Sequence, residues 1–132
     1  MPDTDLTILA FDFGTKHIGV ATGQTVTDTA NGIATVSARR GRPDWSVLDS
    51  LVRDWHPSLL VVGLPLNMDG TESDMCAQAR LFADRLRSRY QCAVDLIDER
   101  LTTVEARTAK VAGSSLHAEA AAIIARGWLE RC

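Results

Sequence analysis

Residues 6–21 read LTILAFDFGTKHIGVA. Leu6 to Phe11 is a short, nearly continuous apolar run, the pattern of a central strand buried on both faces of a sheet. Asp12 follows directly. A carboxylate inside the buried part of a strand would carry a large desolvation cost. At the strand's end it can face the crevice where ligands bind in open α/β sheets. Phe13, Gly14, Thr15 and Lys16 then add a turn glycine, a hydroxyl and a cation, a combination suited to phosphate. A solvated Asp opening an ordinary turn would read the same way, and an Asp-x-Gly-Thr turn also suits nucleotide phosphates. Working outward, Ile18 to Thr22 reads as a second strand and Gly32 to Val36 as the end of a third. The spacing is short, so these three are expected to form an antiparallel meander.

Ala38 to Asp44 reads as a polar loop. Trp45, Leu48, Leu51, Val52 and Trp55 recur at intervals of three and four, predicting a helix that His56-Pro57 stops. Leu59 to Gly63 is a second apolar strand, and residues 64–73 form the loop after it. Met75, Ala79, Phe82 and Leu86 mark the apolar stripe of a long helix. Cys92 to Ile97 reads as a strand. Thr102-x-x-Glu105 is a capping-box pattern that opens a further helix, and Gly113-Ser114-Ser115 breaks it. Leu116, Ala120, Ile123, Ile124, Gly127 and Trp128 are expected on the inner face of a final helix. The order β-β-β-α-β-α-β-α-α predicts an α/β protein with a mixed five-stranded sheet and helices on both faces.

With 132 residues, a single domain spanning residues 1–132 is expected, large enough to bury a core. A composition 45% hydrophobic and 23% charged is that of a globular chain. The formal charge of −3 provides no bulk positive field for nucleic acid, so any such binding must rest on local patches. Cys76, Cys92 and Cys132 form neither a disulfide framework nor a C-x-x-C motif, which fits a reducing compartment. No signal peptide and no membrane-length apolar stretch is visible. A cytoplasmic location, a monomer or weak dimer, and no membrane partner are expected.

A second acid ends another strand. In Asp98-Glu99-Arg100, alternation puts Asp98 and Arg100 on one side and Glu99 on the other. Glu99 can then face the crevice while Asp98 braces structure with Arg100; a solvated strand end with a local ion pair is the plainer alternative. Asp12 and Glu99 together suit a divalent cation held against phosphate. Asn67 and Asp69, in the loop after the Gly63 strand, are candidates to line the same crevice. His117 and Glu119 open the final helix. They are two apart and point in different directions. His117 shares a face with Ala121, Ile124 and Trp128, whereas Glu119 points sideways and complements the helix N-terminus. Basic residues cluster as Arg39, Arg40 and Arg42, and as Arg85, Arg87 and Arg89. Either cluster suits phosphate or simply a solvated surface. Aromatic residues make up 5% of the chain, too few for base stacking to be the main grip. No serine or threonine has an obvious histidine partner, so a hydrolase triad is unsupported.

Four segments carry a resemblance: residues 12–21, DFGTKHIGVA; residues 63–70, GLPLNMDG; residues 98–106, DERLTTVEA; and residues 117–130, HAEAAAIIARGWLE. In this order and spacing they resemble the YqgF/RuvX family, described as Holliday junction resolvases and as pre-16S rRNA processing nucleases. The resemblance implies a ribonuclease H-like fold and a nuclease site at the sheet edge. It puts the family's first acid on Asp12 and its second on Glu99, with Mg²⁺ or Mn²⁺ as cofactor. Its third acid is an Asp opening the last helix, where this chain has His117. The Arg usual after the Gly-Thr-Lys turn is His17 here. Asp12, Glu99 and His117 are thus the implied catalytic set, with Asp12 and Glu99 as the metal ligands. Gly14, Thr15, Lys16 and Arg100 are the candidates for holding phosphate, and Asp98, Glu119 and Asn67 are auxiliary positions. The expected partners are nucleic acid, as precursor rRNA or branched DNA, and ribosome-assembly intermediates. A binding protein of the same fold with weak or no catalysis is the main alternative, and a Holliday junction resolvase the other.

Overall fold

The computed structural model describes residues 6–67, 69–99 and 116–131. In chain order these form β1 (Thr7–Asp12), β2 (His17–Gln24), β3 (Thr29–Arg39), β4 (Arg42–Pro43), α1 (Trp45–Trp55), β5 (Leu59–Leu64), α2 (Asp74–Tyr90), β6 (Val94–Asp98) and α3 (Leu116–Arg131). The strands make one mixed sheet in the order β4-β3-β2-β1-β5-β6. β1 runs antiparallel to β2 and parallel to β5, β2 is antiparallel to β3, and β5 is parallel to β6. The carboxyl ends of β1, β5 and β6 therefore share one edge.

The expected meander and both apolar strands are present. Ile8, Leu9, Ala10 and Phe11 of β1 and Leu60, Val61 and Val62 of β5 are fully buried. Such burial is possible because helices cover both faces. Leu9, Phe11, Val20 and Val62 face α1 and α2, where Leu48, Ala79, Phe82 and Leu86 pack on them. The Phe11 and Phe82 rings meet edge to face, with centroids 5.6 Å apart. Ile8, Ala10, Ala21, Val61 and Ile97 face the other way, against Ala121, Ile124, Ala125 and Trp128 of α3.

The sheet has six strands rather than five. β3 continues through the expected polar loop to Arg39, turns over Arg40 (φ 53°) and Gly41 (φ 80°), and pairs again at Arg39↔Arg42 and Ala38↔Pro43. Two consecutive positive φ values make the tight turn that matches strand twist. Pro43 is tolerated because β4 is an edge strand. The composition of this stretch resembles a loop, and only backbone pairing reveals the strand. α1 begins and ends where the periodicity places it. Asp44 caps it by accepting from the Ser46 N–H at 3.1 Å, and His56 closes it in the left-handed region with φ 46°. A non-glycine residue there is held by the bond from its N–H to the Val52 carbonyl, at 3.0 Å.

The inner face of α3 differs from the expected one. Ile124 and Trp128 are buried as read, but the remaining contact residues are Ala118, Ala121, Ala125 and Leu129, while Leu116 is 79% exposed. The helix docks on its small side. A Cβ built on Gly19 would lie 1.8 Å from the His117 carbonyl oxygen, and one on Gly32 would lie 2.7 Å from that of Ala118. The start of α3 thus rests directly on the backbones of β2 and β3. The expected helix opened by Thr102 and Glu105, and its Gly113 break, lie outside the described residues. No helix among the described residues is long and apolar enough to cross a membrane.

Candidate active site

Asp12 is the last residue of β1, with Gly19 of β2 opposite it. Ile8 and Ala10 face α3, so alternation puts Asp12 on the α3 side of the sheet. Glu99 directly follows β6, and its side chain lies over Gly63. A Cβ on Gly63 would be 2.6 Å from Glu99 Oε1, 2.8 Å from its Cγ and 2.6 Å from Ile124 Cδ1. Ile124 belongs to the α3 layer, so Glu99 occupies the same side as Asp12. Phe11 pairs with Val62, which puts Gly63 next in register beside Asp12. Strands lie about 4.8 Å apart. With β5 between them, the Asp12 and Glu99 backbones are separated by about twice that, roughly 10 Å. By leaning over Gly63 the Glu99 carboxylate closes part of this gap. The missing Cβ at Gly63 is what makes the space.

The third residue arrives from above. The His117 backbone crosses Gly19, the cross-strand partner of Asp12. Its ring stacks on His17, with centroids 4.8 Å apart and planes inclined by 18°. The sequence marks His117 as a site residue and His17 as standing where the resemblance has an Arg, but it does not pair them. Asp12, Glu99 and His117 share one face and one edge, and each is engaged in polar or ring contacts. Among the described residues no three His, Cys, Asp or Glu side chains form a ready metal-holding cluster.

The turn after Asp12 is tightly built. A Cβ on Gly14 would lie 2.5 Å from the His17 carbonyl oxygen. The carbonyls of Thr15 and Lys16 accept from the Gly41 and Ala38 N–H groups at 3.0 and 2.8 Å. The turn is thereby tied to β3 while Lys16 is exposed, with no ion pair among the described residues. The auxiliary positions fall elsewhere. Val94 and Leu96 face α1 and α2, so alternation turns Asp98 to that side, away from Glu99. The Asn67 amide donates to Thr71 Oγ1 at 3.0 Å within its own loop. Glu119 is partly buried in the first turn of α3. Arg100 lies outside the described residues.

Three antiparallel strands continued by two parallel ones, with helices on both faces and acids at the shared carboxyl edge, define a ribonuclease H-like protein. The RuvX family, described as Holliday junction resolvase, matches residues 6–131, and this chain belongs to that family. A Pectobacterium atrosepticum protein named "Putative pre-16S rRNA nuclease" is 49% identical over 132 residues, covering 94% of this chain and 95% of its own. A protein of the same name from Cronobacter sakazakii is 56% identical over 101 residues, 76% of this chain and 73% of its own. Among solved structures, Thermus thermophilus RuvC in complex with Holliday junction substrate superposes with a TM-score of 0.60 at 13% identity, covering 92% of this chain and 91% of that one. The yeast mitochondrial Holliday junction resolvase gives 0.55 at 9% identity, covering 92% and 77%. At such identities the likeness is one of fold.

Proposed function

We propose that this chain is a metal-dependent nuclease that hydrolyses phosphodiester bonds at the 5′ end of precursor 16S rRNA in the cytoplasm. The observation that carries the reading is the Glu99 carboxylate lying over Gly63, beside Asp12, at the carboxyl edge of the parallel strands. The names of the relatives supply the substrate.

A carboxylate over Gly63 and a second one ending the neighbouring strand suit a hard divalent cation, and all-oxygen donors fit Mg²⁺ or Mn²⁺. Asp12 and Glu99 would hold it. When bound, such an ion supplies Lewis-acid stabilisation of charge on the phosphate and a nucleophile at neutral pH. The chain's own groups do the rest. Asp12 and Glu99, being anionic, would set where the cation sits relative to β1 and β5 and would not touch the phosphate oxygens directly. Lys16, carried on the turn anchored to β3, offsets charge on a flanking phosphate. Gly14 and Thr15 shape that turn, and Arg100, outside the described residues, is a further candidate for holding phosphate by its residue type alone. His117 brings an imidazole rather than a third carboxylate, so the net charge at the edge is less negative than with three acids.

Cleavage of precursor-like RNA, single-stranded RNA and a four-way DNA junction, each with Mg²⁺ and with Mn²⁺, tests the reading. Precursor RNA is expected to be cut preferentially. Asp12→Asn and Glu99→Gln should each lower the rate by at least about a hundredfold, the order expected for losing one transition-state charge contact. His117→Asp should raise the Mg²⁺-supported rate. Cleavage that survives both carboxylate substitutions removes the site. RNA binding without cleavage in the unmodified chain replaces the nuclease by a binding protein.

A further inference from the structure

The sequence carries two basic clusters, and the tertiary structure sorts them differently. Arg87 pairs with Asp84 at 2.6 Å, and Arg89 pairs with Asp49 at 2.8 Å. Arg53, Arg80 and Arg126 are likewise paired, with Asp54, Glu72 and Asp28. Arg40, Arg42 and Arg85 have no acidic partner among the described residues. These three line one groove, between the β3–β4 turn and α2. Among the described residues, five arginines are thus paired with acids and Arg39 and Arg131 lack such a partner as well, but only Arg40, Arg42 and Arg85 face one cavity together.

The groove has a volume of about 250 Å³, below the roughly 300–1,000 Å³ of sites that engulf a whole small molecule. It is open, and its floor is apolar. Phe13 and Leu81 line it, with Gln78 as the neutral polar side chain. Leu81 is 48% exposed and supplies the apolar surface that opens to solvent in this groove. The floor is rigid: the Phe13 ring packs on Phe82 with centroids 5.2 Å apart. The rim is rigid as well, since Gly41 bonds to the Thr15 carbonyl and a Cβ on Gly41 would meet the Phe13 ring at 3.0 Å. Phe13 is the residue after Asp12. One turn therefore joins the groove to the acidic edge, with Asp12 and Phe13 on opposite sides of the sheet.

We propose that this groove holds an unpaired nucleotide of an RNA strand flanking the cleaved bond. Its base lies mainly on Leu81, against the rim of the largely buried Phe13 ring, and the adjoining phosphates lie on Arg40, Arg42 and Arg85. Duplexes are the poorer match because they present phosphates while keeping their bases stacked inside. An apolar floor with a cationic rim matches a splayed base and its backbone. Gln78 is placed to hydrogen-bond a base edge or a 2′-hydroxyl. The proposal rests on the nuclease reading for its ligand and on the groove for its location.

The test is fluorescence anisotropy in EDTA with a single-stranded RNA decamer and a matching RNA duplex, across a salt series. Arg40→Gln/Arg42→Gln/Arg85→Gln is expected to weaken single-strand binding at least tenfold. It should also reduce the salt slope by about 2, three contacts at roughly 0.7 each. Leu81→Ser should weaken single-strand binding several-fold and leave the duplex unchanged. Arg53→Gln/Arg87→Gln/Arg131→Gln removes the same charge elsewhere and should change binding little. Equal losses in the two triple variants, or equal losses for single strand and duplex, would overturn the proposal. Cleavage by Asp12→Asn is read separately. If it persists, the catalytic site is wrong while the groove result stands on its binding data.

Discussion

Glu99 illustrates how much a single absent atom decides. Its carboxylate can lie over β5 because Gly63 has no side chain, and the nearest Glu99 and Ile124 atoms would sit 2.6 Å from any Cβ placed there. Gly63→Ala is expected to displace Glu99 from the edge. Cleavage should fall at least tenfold while overpacking destabilises the fold by about 1–3 kcal/mol. Thermal melting together with steady-state rates checks this. A variant that keeps full activity would show that Glu99 does not work from over Gly63. Asp12 was legible in the sequence because it ends an apolar run, where burial makes a carboxylate expensive one residue earlier; Glu99 was legible as a strand-end acid that alternation sets opposite Asp98. The cradle at Gly63 was half-legible: a glycine at a strand end signals close approach, but not of what. The stacking of His17 on His117 was not legible, since exactly one hundred residues separate the two rings and no local rule joins them.

α3 depends on close backbone contact. Its first turn lies on Gly19 and Gly32, and Ala118, Ala121 and Ala125 form the side that reaches the sheet. Gly19→Ala would set a Cβ 1.8 Å from the His117 carbonyl. Backbone cannot rotate out of the way as a side chain can, so the helix start must lift. The expected cost is about 3 kcal/mol, the upper end for overpacking, with His117 drawn off Asp12's strand partner. Denaturant melts and hydrogen exchange in residues 116–121 would measure both effects; unchanged stability would mean that the contact is not tight. Sequence periodicity found this helix and two of its buried residues. It missed the rotation because hydrophobicity favours large side chains such as Leu116, whereas a helix lying on glycines selects small ones. The extension of β3 and the β4 strand were hidden for a related reason: RRGRP has the composition of a loop, and its strand character comes from pairing.

Across the molecule, charge is arranged rather than abundant. Asp49 of α1 accepts two bonds from Arg89 at 2.8 Å and one from Tyr90 Oη at 2.7 Å, tying α1 to α2. Arg89 also lies 4.7 Å above the Trp45 ring. The Arg89 bonds, then the Tyr90 hydroxyl, lower the Asp49 pKa from 3.8 to about 2. A depressed carboxylate pKa stabilises the fold above the unfolded value and loses that contribution as pH falls through the folded one. Asp49→Asn should therefore lower the melting temperature at pH 7. The difference from the unmodified chain should shrink below pH 3.8 and vanish near pH 2. Both partners are about 40% exposed, so solvent screening holds the effect near 1 kcal/mol. A pH-independent difference would assign the loss to packing instead. The sequence by itself determined the fold class, the meander, the two apolar strands with the helices between and after them, and the two strand-end acids. Each of these follows from local patterning, in which apolar period sets the element and desolvation sets where a charge can sit. The tertiary structure alone decided which face of α3 docks, that Glu99 lies over Gly63, that His17 meets His117, and which arginines are left for a ligand. Those outcomes depend on close approach between segments distant in the chain, and on pairings among many candidate charges, which no local pattern encodes.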